Sequence, residues 1–436
     1  MVMLRPAEEM KDSGIEWVGS VPQDWKVVPI GSCFDEVVKK NKEGLVKNAL
    51  KFTYGQIVPK TNFDADEDDY VADTILNYYI VDPGTIMING LNLNFDLISQ
   101  RTGLVKERGI ITSAYVGIIP KDFSVTLPDF MNYLFKAYDY RMAFHNMGGG
   151  VRKILNFTRL KSQKVCFPTI TEQQAIADYL EDRCSKLDEI IAEAEKSIEE
   201  YKELKQAVIF EAVTKGLDKN VPMRDSGYSC IGKIPQNWVV GKLKNIVDIS
   251  DGTHDTPAYV NFDKSFPLVT PKCIVNGNID VSVAGRISEE DYIEINKRSY
   301  VEKYDVLMTM IGSTVGNCAV VVDDPEYAIK NIALLRTKGS YYLGKYVFYL
   351  FNCNVFRFQY EMNGHSTAQA FISQSMLKNL VIPIPTYMNS IVIYLDKEIG
   401  KIDTLMQEKH EVIEALQNYK KALIYEVVTG KKRVVI

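Results

Sequence analysis

The sequence lacks the features that mark several classes of protein. Its seven cysteines are dispersed and include no Cys-x-x-Cys pair, a pattern typical of reduced thiols rather than of disulfides or a zinc site. No apolar run reaches the ~18 residues that a membrane-spanning helix needs. The first residues also lack the apolar core of a secretory signal. These absences predict a cytoplasmic protein with no membrane partner.

Motifs for common enzyme chemistries are missing as well. The glycine-rich segment 312–316 lacks the lysine of a phosphate-binding loop. There is no Asn/Asp-Pro-Pro-aromatic motif for methylation of an amino group, and the four histidines form no metal-ligand pattern. The sequence therefore predicts a chain with no catalytic residues, no metal site and no bound cofactor.

The chain contains an internal repeat. MKDSGIEWVGSVPQDW at 10–25 returns as MRDSGYSCIGKIPQNW at 223–238. Weaker matches relate 133–148 to 349–364 and 179–214 to 394–429 at nearly the same shift. Matches at a constant shift in three separate stretches indicate a tandem duplication.

Both halves follow the same order of segments. A Gly/Pro/Trp head precedes a stretch rich in β-branched and aromatic residues, then an aromatic helix at 129–146 or 345–362, then a long helix. The two central stretches barely resemble each other, so one scaffold carries two different surfaces. We expect an α+β protein with β-rich domains at 1–165 and 223–385, and long helices with their linkers at 166–222 and 386–436.

Each long helix carries an apolar stripe with heptad spacing. Sustained heptads with charged flanks favour an antiparallel coiled coil between the two helices, although a helix lying on its own domain is the alternative. The residues predicted at the interface are Leu180, Leu187, Ile191, Ile198, Leu395, Ile402, Ile413 and Leu416.

Two windows, 141–164 and 328–360, contain basic residues and no acidic ones. Such windows favour contacts with phosphates, with a solvated surface as the alternative. The loop 251–259 adds donors and acceptors suited to base edges. The DNA-binding residues predicted on these grounds are Arg141, Gly149, Arg152, Lys153, Arg159, Thr253, His254, Thr256, Lys330, Arg336 and Arg357.

The two heads, SGIEWVGSVPQDW and SGYSCIGKIPQNW, together with PTITEQQAIADYL at 168–180, resemble the specificity subunit of Type I restriction-modification enzymes. The segments DGTHDTPAY at 251–259 and GSTVGNCAV at 312–320 are similar to parts of that family's target recognition domains. One departure is at 385–390, where PTYMNS lacks the Glu-Gln pair that the family usually keeps.

The resemblance implies two target recognition domains that each read half of an asymmetric bipartite site in double-stranded DNA, with the coiled coil setting the spacer. It also implies two modification subunits that methylate adenine with S-adenosylmethionine, and restriction subunits that use ATP and Mg²⁺. An orphan DNA-binding adaptor, a protein-binding coiled-coil scaffold and an enzyme are the alternatives.

Overall fold

The computed structural model describes residues 2–435 except 54, 61–74, 98–99, 262, 354–355, 357–358 and 360–370. The chain forms two compact units. The first contains Met1–Ala194 and Glu411–Ile436, and the second contains Glu195–His410. Each unit therefore holds one β-rich block and part of each long helix. The domains expected from the sequence are contiguous stretches of chain, whereas each unit combines residues of both long helices. The expected boundaries stay predictions.

The secondary structure consists of many short strands, several short helices and two long helices. The helices are α1 (Ile30–Cys33), α2 (Pro128–Tyr140), α3 (Ala143–Met147), α4 (Phe157–Leu160), α5 (Ile170–Lys215), α6 (Glu289–Ser299), α7 (Tyr341–Phe351), α8 (Gln374–Asn379) and α9 (Met388–Val428). The strands are β1 (Val2–Leu4), β2 (Met10–Asp12), β3 (Ser20–Pro22), β4 (Lys26–Pro29), β5 (Phe34–Glu36), β6 (Leu50–Thr53), β7 (Gln56–Pro59), β8 (Tyr79–Val81), β9 (Ile86–Ile88), β10 (Thr102–Leu104), β11 (Gly109–Ile111), β12 (Val116–Pro120), β13 (Lys164–Phe167), β14 (Met223–Asp225), β15 (Lys233–Pro235), β16 (Val239–Lys242), β17 (Asp248–Asp251), β18 (Ser265–Val269), β19 (Ile274–Val275), β20 (Asn278–Ile279), β21 (Gly285–Ser288), β22 (Val306–Thr309), β23 (Cys318–Val320), β24 (Ala328–Ile329), β25 (Ile332–Arg336), β26 (Val381–Ile384) and β27 (Lys432–Val434).

The first unit is built on an antiparallel sheet of order β10-β9-β12-β5. Strand β9 is buried along its whole length, as expected for an apolar strand with a neighbour on each side. Helix α2 buries an aromatic face in the same core, where Phe135 and Tyr138 meet edge to face. At the two ends of the chain, β1 pairs with β27 in this unit.

The second unit has an antiparallel sheet of order β17-β25-β22-β23 and a mixed sheet of order β21-β18-β24. Strand β18 runs parallel to β24 and antiparallel to β21. Strands β22 and β25 are apolar and almost wholly buried. Each unit therefore encloses a hydrophobic core of its own.

The aromatic helix of the first unit is shorter than the sequence predicts. The expectation was one helix over 129–146, but α2 ends at Tyr140 because Met142 adopts a left-handed backbone with φ of 58°, and α3 follows. In the second unit α7 ends at Phe351, and most of the expected remainder to 362 lies outside the described residues.

The long helices pair within each unit. In the first unit, Lys420 of α9 donates to Asp188 of α5 at 2.6 Å. In the second unit, Lys205 of α5 donates to Asp403 of α9 at 2.6 Å. Each contact joins an earlier part of one helix to a later part of the other, so the pairing is antiparallel. The predicted interface residues are all buried or half-buried.

The heads pack on the ends of the long helices. In the first unit, Trp25 lies against Gly430, just after α9, and a Cβ at Gly430 would come 2.4 Å from Pro22. In the second unit, Trp238 lies in the same way against Gly216, just after α5. Both glycines have positive φ, near 72° and 75°, which favours glycine at the end of a helix.

Each aromatic helix is also joined to a long helix by the same kind of hydrogen bond. The Tyr133 hydroxyl donates to Glu181 at 2.7 Å, and the equivalent Tyr349 hydroxyl donates to Asp396 at 2.6 Å. Burial and the neighbouring carboxylate raise the pKa of both tyrosines, so both remain protonated donors. The duplication therefore preserved this contact although the surrounding residues diverged.

Candidate DNA interface

The basic segment of the first unit forms a tight turn followed by a short helix. Gly149 and Ile154 exchange backbone hydrogen bonds of 3.1 and 2.9 Å, and Arg152 and Lys153 lie exposed within the turn. Asn156 then caps α4 by accepting a 3.0 Å hydrogen bond from the backbone N–H of Arg159. This geometry presents cationic side chains to the solvent, as phosphate contacts require.

Gly149 and Arg159 lie against each other. A Cβ on Gly149 would come 2.2 Å from the guanidinium carbon of Arg159. The space beside Gly149 is therefore filled by the Arg159 side chain of the same unit. The predicted contact of Gly149 with DNA stays a prediction.

Arg141 is exposed but packs on an aromatic ring. Its guanidinium lies 4.9 Å from the centre of the Tyr425 ring near the end of α9, and Lys431 lies 4.5 Å from the same ring. The Tyr425 hydroxyl donates to the Val18 carbonyl in the first head. Arg141 is therefore part of a cationic, aromatic cluster at the junction of head and helix.

In the second unit the loop after β17 joins the segment between β24 and β25. Thr253 and Lys330 form a β-bridge, and Asn331 donates its N–H to the Thr253 carbonyl at 3.1 Å. The Lys330 ammonium also donates to the Thr256 hydroxyl. A Cβ at Gly252 would come 2.4 Å from the Ile329 carbonyl, so this close approach requires glycine. The structure thus brings together four of the predicted residues, Thr253, His254, Thr256 and Lys330.

His254 lies between two acceptors. Its Nδ1 is 2.9 Å from Asn331 Oδ1, and its Nε2 is 3.0 Å from Asp251 Oδ2. These hydrogen bonds, with the one to Asn331 contributing most, raise the pKa of His254 above its usual range. With a proton on each ring nitrogen, His254 donates to both partners.

A cavity of about 160 Å³ adjoins His254. Asp251 and Asn331 line one part of it, while Ser373 and Gln374 at the start of α8 add further polar groups. Its apolar lining consists of Met310, Ile311 and Phe371. A few polar groups over an apolar floor are typical of a site that fixes the orientation of its ligand.

Arg336, which was also predicted in the second unit, is not part of this cluster. Arg336 donates to the carbonyls of Tyr300 and Arg298 at 2.9 and 3.0 Å, where it satisfies the end of α6. It lies at the opposite end of the β17–β25 pair from Asp251. Arg357 lies outside the described residues. The roles of both residues in DNA binding stay predictions.

The sequence reasoning missed two residues that shape these surfaces. Asn331, with a left-handed φ of 55°, completes the hydrogen bonds of His254. In the sequence, only its position next to an apolar strand could have indicated this role. Arg101, with a side chain 1% exposed, organises the loop beside the turn of the first unit. A lone arginine between apolar strands gives no hint of such a role.

The sequence matches the family described as Type I restriction modification DNA specificity domain over residues 22–200 and again over 235–415. The chain belongs to this family. The two matched copies coincide with the two halves of the duplication, so the specificity domain occurs once in each half.

Individual specificity subunits are similar over most of their length. The MjaVIII specificity subunit of Methanocaldococcus jannaschii is 23% identical over 429 residues, covering 95% of this chain and 94% of that protein. The EcoBI specificity subunit of Escherichia coli is 21% identical over 329 residues, covering 67% and 66%.

Solved structures share the fold of this specificity-domain chain. A chain from a structural study of complex assembly and conformational transition of the type I R-M system matches with a TM-score of 0.70 at 14% identity, covering 94% of this chain and 99% of that chain. The HsdS subunit from Thermoanaerobacter tengcongensis matches with a TM-score of 0.50 at 15% identity, covering 94% and 98%. The predicted α+β fold, with two β-rich domains and an antiparallel coiled coil, is confirmed.

Two features are absent from the described part of the chain. None of its helices is long and apolar enough to cross a membrane. Among the same residues, no group of three or more His, Cys, Asp or Glu side chains is arranged to hold a metal ion.

Proposed function

We propose that this chain reads an asymmetric, bipartite site in double-stranded DNA and directs partner subunits to it. Each unit reads one half-site, and the paired helices set the unread spacer. The observation that carries the proposal is a duplicated specificity domain whose two copies keep the same frame but present different exposed groups. Different surfaces on equivalent frames imply different half-sites.

The exposed groups of the two units suit the two parts of DNA recognition. Arg152 and Lys153 of the first unit are exposed cations, which suits contacts with phosphates that position a protein without reading sequence. The His254 cluster of the second unit offers hydrogen-bonding groups over a cavity, which suits base edges. Lys330 beside it supplies a charge for the backbone.

The long helices carry exposed apolar side chains at equivalent positions. Ile190 is equivalent to Leu405, and Leu204 to Tyr419, with exposed fractions between 40% and 53%. Each unit contains one member of each pair. Equivalent apolar patches on both units suit two copies of one partner, so we assign them to two modification subunits.

In this proposal the chemistry belongs to the partners. The modification subunits bind S-adenosylmethionine and methylate adenine, while restriction subunits use ATP and Mg²⁺ for translocation and cleavage. The chain itself contributes binding and geometry, binds no cofactor and works in the cytoplasm.

The test is a long-read methylome of the native host with this gene intact and deleted. We expect one split adenine-methylation motif to vanish on deletion, which reveals both half-sites at once. Restoring the gene on a plasmid should restore the motif. If every motif survives the deletion while the modification subunits are expressed, the chain does not direct methylation and the proposal is wrong.

A further inference from the structure

The first unit exposes three apolar side chains on two adjoining segments. Phe95, Leu97 and Val151, which we call the apolar tip, are 76%, 60% and 97% exposed. Backbone hydrogen bonds between the segments, from Leu93 N to Lys153 O at 3.2 Å and from Leu155 N to Gly90 O at 2.9 Å, place them side by side. Single exposed apolar residues are ordinary, but a group of them indicates a contact surface.

The turn that carries Val151 is well defined. Lys153 donates its N–H to the Gly150 carbonyl at 3.1 Å, so Val151 and Arg152 are its two central residues. Turn centres favour glycine, proline, asparagine and aspartate, whereas valine is stiff and gains nothing from full exposure. The folding of this unit therefore does not explain the valine.

The loop that carries Phe95 and Leu97 is fixed from beneath by a buried charge. The Arg101 guanidinium donates to the carbonyls of Asn89, Leu91 and Asp96 at 3.1, 2.9 and 2.7 Å. Burying a guanidinium costs free energy unless such bonds compensate. The hydrogen bonds of Arg101 therefore hold the loop in the conformation that exposes Phe95 and Leu97.

Positive charge surrounds the apolar tip. Arg152 and Lys153 lie in the turn, Arg159 follows it, and residues 141–164 contain no acidic side chain. The nearby Asp96 carboxylate is paired with Arg101 at 3.7 Å. Apolar side chains between cations match a DNA groove, where phosphates flank the base edges and an apolar wedge can enter a base step.

We propose that the apolar tip enters a groove of the half-site read by the first unit and packs against bases at one step. Arg152 and Lys153 contact the flanking phosphates on either side. Partial unstacking of that step makes recognition depend on how easily the sequence deforms. The inference rests on the proposed function, because it requires that this unit binds duplex DNA.

The test uses the full-length chain, purified with its modification subunits, and a labelled duplex that contains the motif lost on gene deletion. 2-Aminopurine replaces one base at a time in and beside the first half-site, because its fluorescence rises when a base unstacks. The apolar variants are Val151→Ser and Phe95→Ser, and the charge variant is Arg152→Gln. Leu45→Ser is the matched control, since Leu45 is also 76% exposed in the first unit.

We expect each apolar variant to bind about tenfold more weakly, the loss that corresponds to exposing one buried apolar side chain. The slope of affinity against salt should not change, and the fluorescence rise at one step should disappear. Arg152→Gln should instead reduce the salt slope by about one and keep the fluorescence rise. Leu45→Ser should change neither.

The proposal is wrong if wild type prefers the motif duplex but Val151→Ser and Phe95→Ser keep its affinity and fluorescence. It is also wrong if these variants bind DNA normally and instead lose the modification subunits, since the tip is then a protein contact. If the wild-type protein shows no preference for the motif duplex, the proposed function itself is wrong. This outcome is seen with the wild-type protein alone and is therefore distinct from a failure of the inference about the tip. Thermal unfolding of each variant separates a local effect from misfolding.

Discussion

At the scale of single residues, the two units differ most clearly at the start of their long helices. Gln173 is fully buried in α5, accepts the N–H of Leu127 at 2.8 Å, and donates to the carbonyls of Val125 and Pro168 at 2.8 and 3.0 Å. The equivalent residue in α9 is Met388, which packs against the second core. The departure at 385–390 in the sequence therefore replaces a hydrogen-bonded entry by an apolar one.

Gln173→Ala should lower the free energy of unfolding of the first unit by about 2–4 kcal/mol, because it removes three hydrogen bonds to backbone groups, of which the one to Pro168 is buried and the other two are partly buried. Gln174→Ala is the matched control. The neighbouring Gln174 side chain is exposed and, among the described residues, bonds only Asp178 at 2.8 Å, so its loss should cost less than about 0.5 kcal/mol. Chemical denaturation measures both variants, and equal losses would contradict this role of Gln173.

His254 gives a second prediction at this scale. Because the folded loop raises its pKa, the stabilisation from its charged form is complete below about pH 6.5 and is lost as pH rises through the raised value. Asn331→Gly removes the hydrogen bond that contributes most to the raised pKa of His254, and glycine tolerates the left-handed backbone at this position. NMR titration of the labelled histidines should show a lower His254 pKa in this variant, and an unchanged pKa would disprove the assigned hydrogen bonds.

At the scale of elements, periodicity predicted the long helices well because an apolar heptad stripe depends only on residues near each other in sequence. The length of α2 was predicted less well, since the break at Met142 depends on how α3 packs in the core. The packing of each head on a helix end could not be predicted. Trp25 and Gly430 lie at opposite ends of the chain, and no local pattern joins them.

For the site, the sequence indicated the basic turn and the His254 loop, because charge and loop-forming residues are local signals. It could not show that Arg336 caps α6 or that Arg101 supports a loop, since both roles depend on backbone carbonyls that folding brings near. Side chains for reading bases were the hardest to predict, because the proposed function places them where the two halves differ most.

The contact between the first head and α9 can be tested by adding a single methyl group. Gly430→Ala places a Cβ 2.4 Å from Pro22 and also strains a backbone with φ of 72°, whereas Gly19→Ala has a similar φ of 70° but no atom within 4 Å. We expect Gly19→Ala to cost about 1 kcal/mol and Gly430→Ala at least about twice as much. Thermal or urea unfolding of the two variants isolates the steric cost, and equal costs would show that the head does not pack tightly there.

At the scale of the whole molecule, duplication explains how one chain could read two different half-sites, as the proposed function requires. Each unit keeps the Tyr–carboxylate bond and the Trp–Gly junction, which fix the scaffold, while the exposed loops differ. A change in the loops of one unit can therefore alter one half-site without disturbing the other scaffold. In the proposed function, the spacer depends instead on the two long helices, each of which contributes to both units.

The last prediction concerns that spacer. Deleting residues 192–198 from α5 and the opposite residues 410–416 from α9 removes one heptad from each helix and keeps the apolar stripes in phase. Seven residues of helix span about 10 Å, the length of about three base pairs, so the methylated motif should keep both half-sites while its spacer shortens by about three. Deleting only 192–198 is the control. It shifts one stripe against the other, so it should destabilise the protein and abolish methylation rather than shorten the spacer. A methylome of the strain that carries both deletions tests this prediction. Altered half-sites with an unchanged spacer would mean that the paired helices do not set the distance between the half-sites.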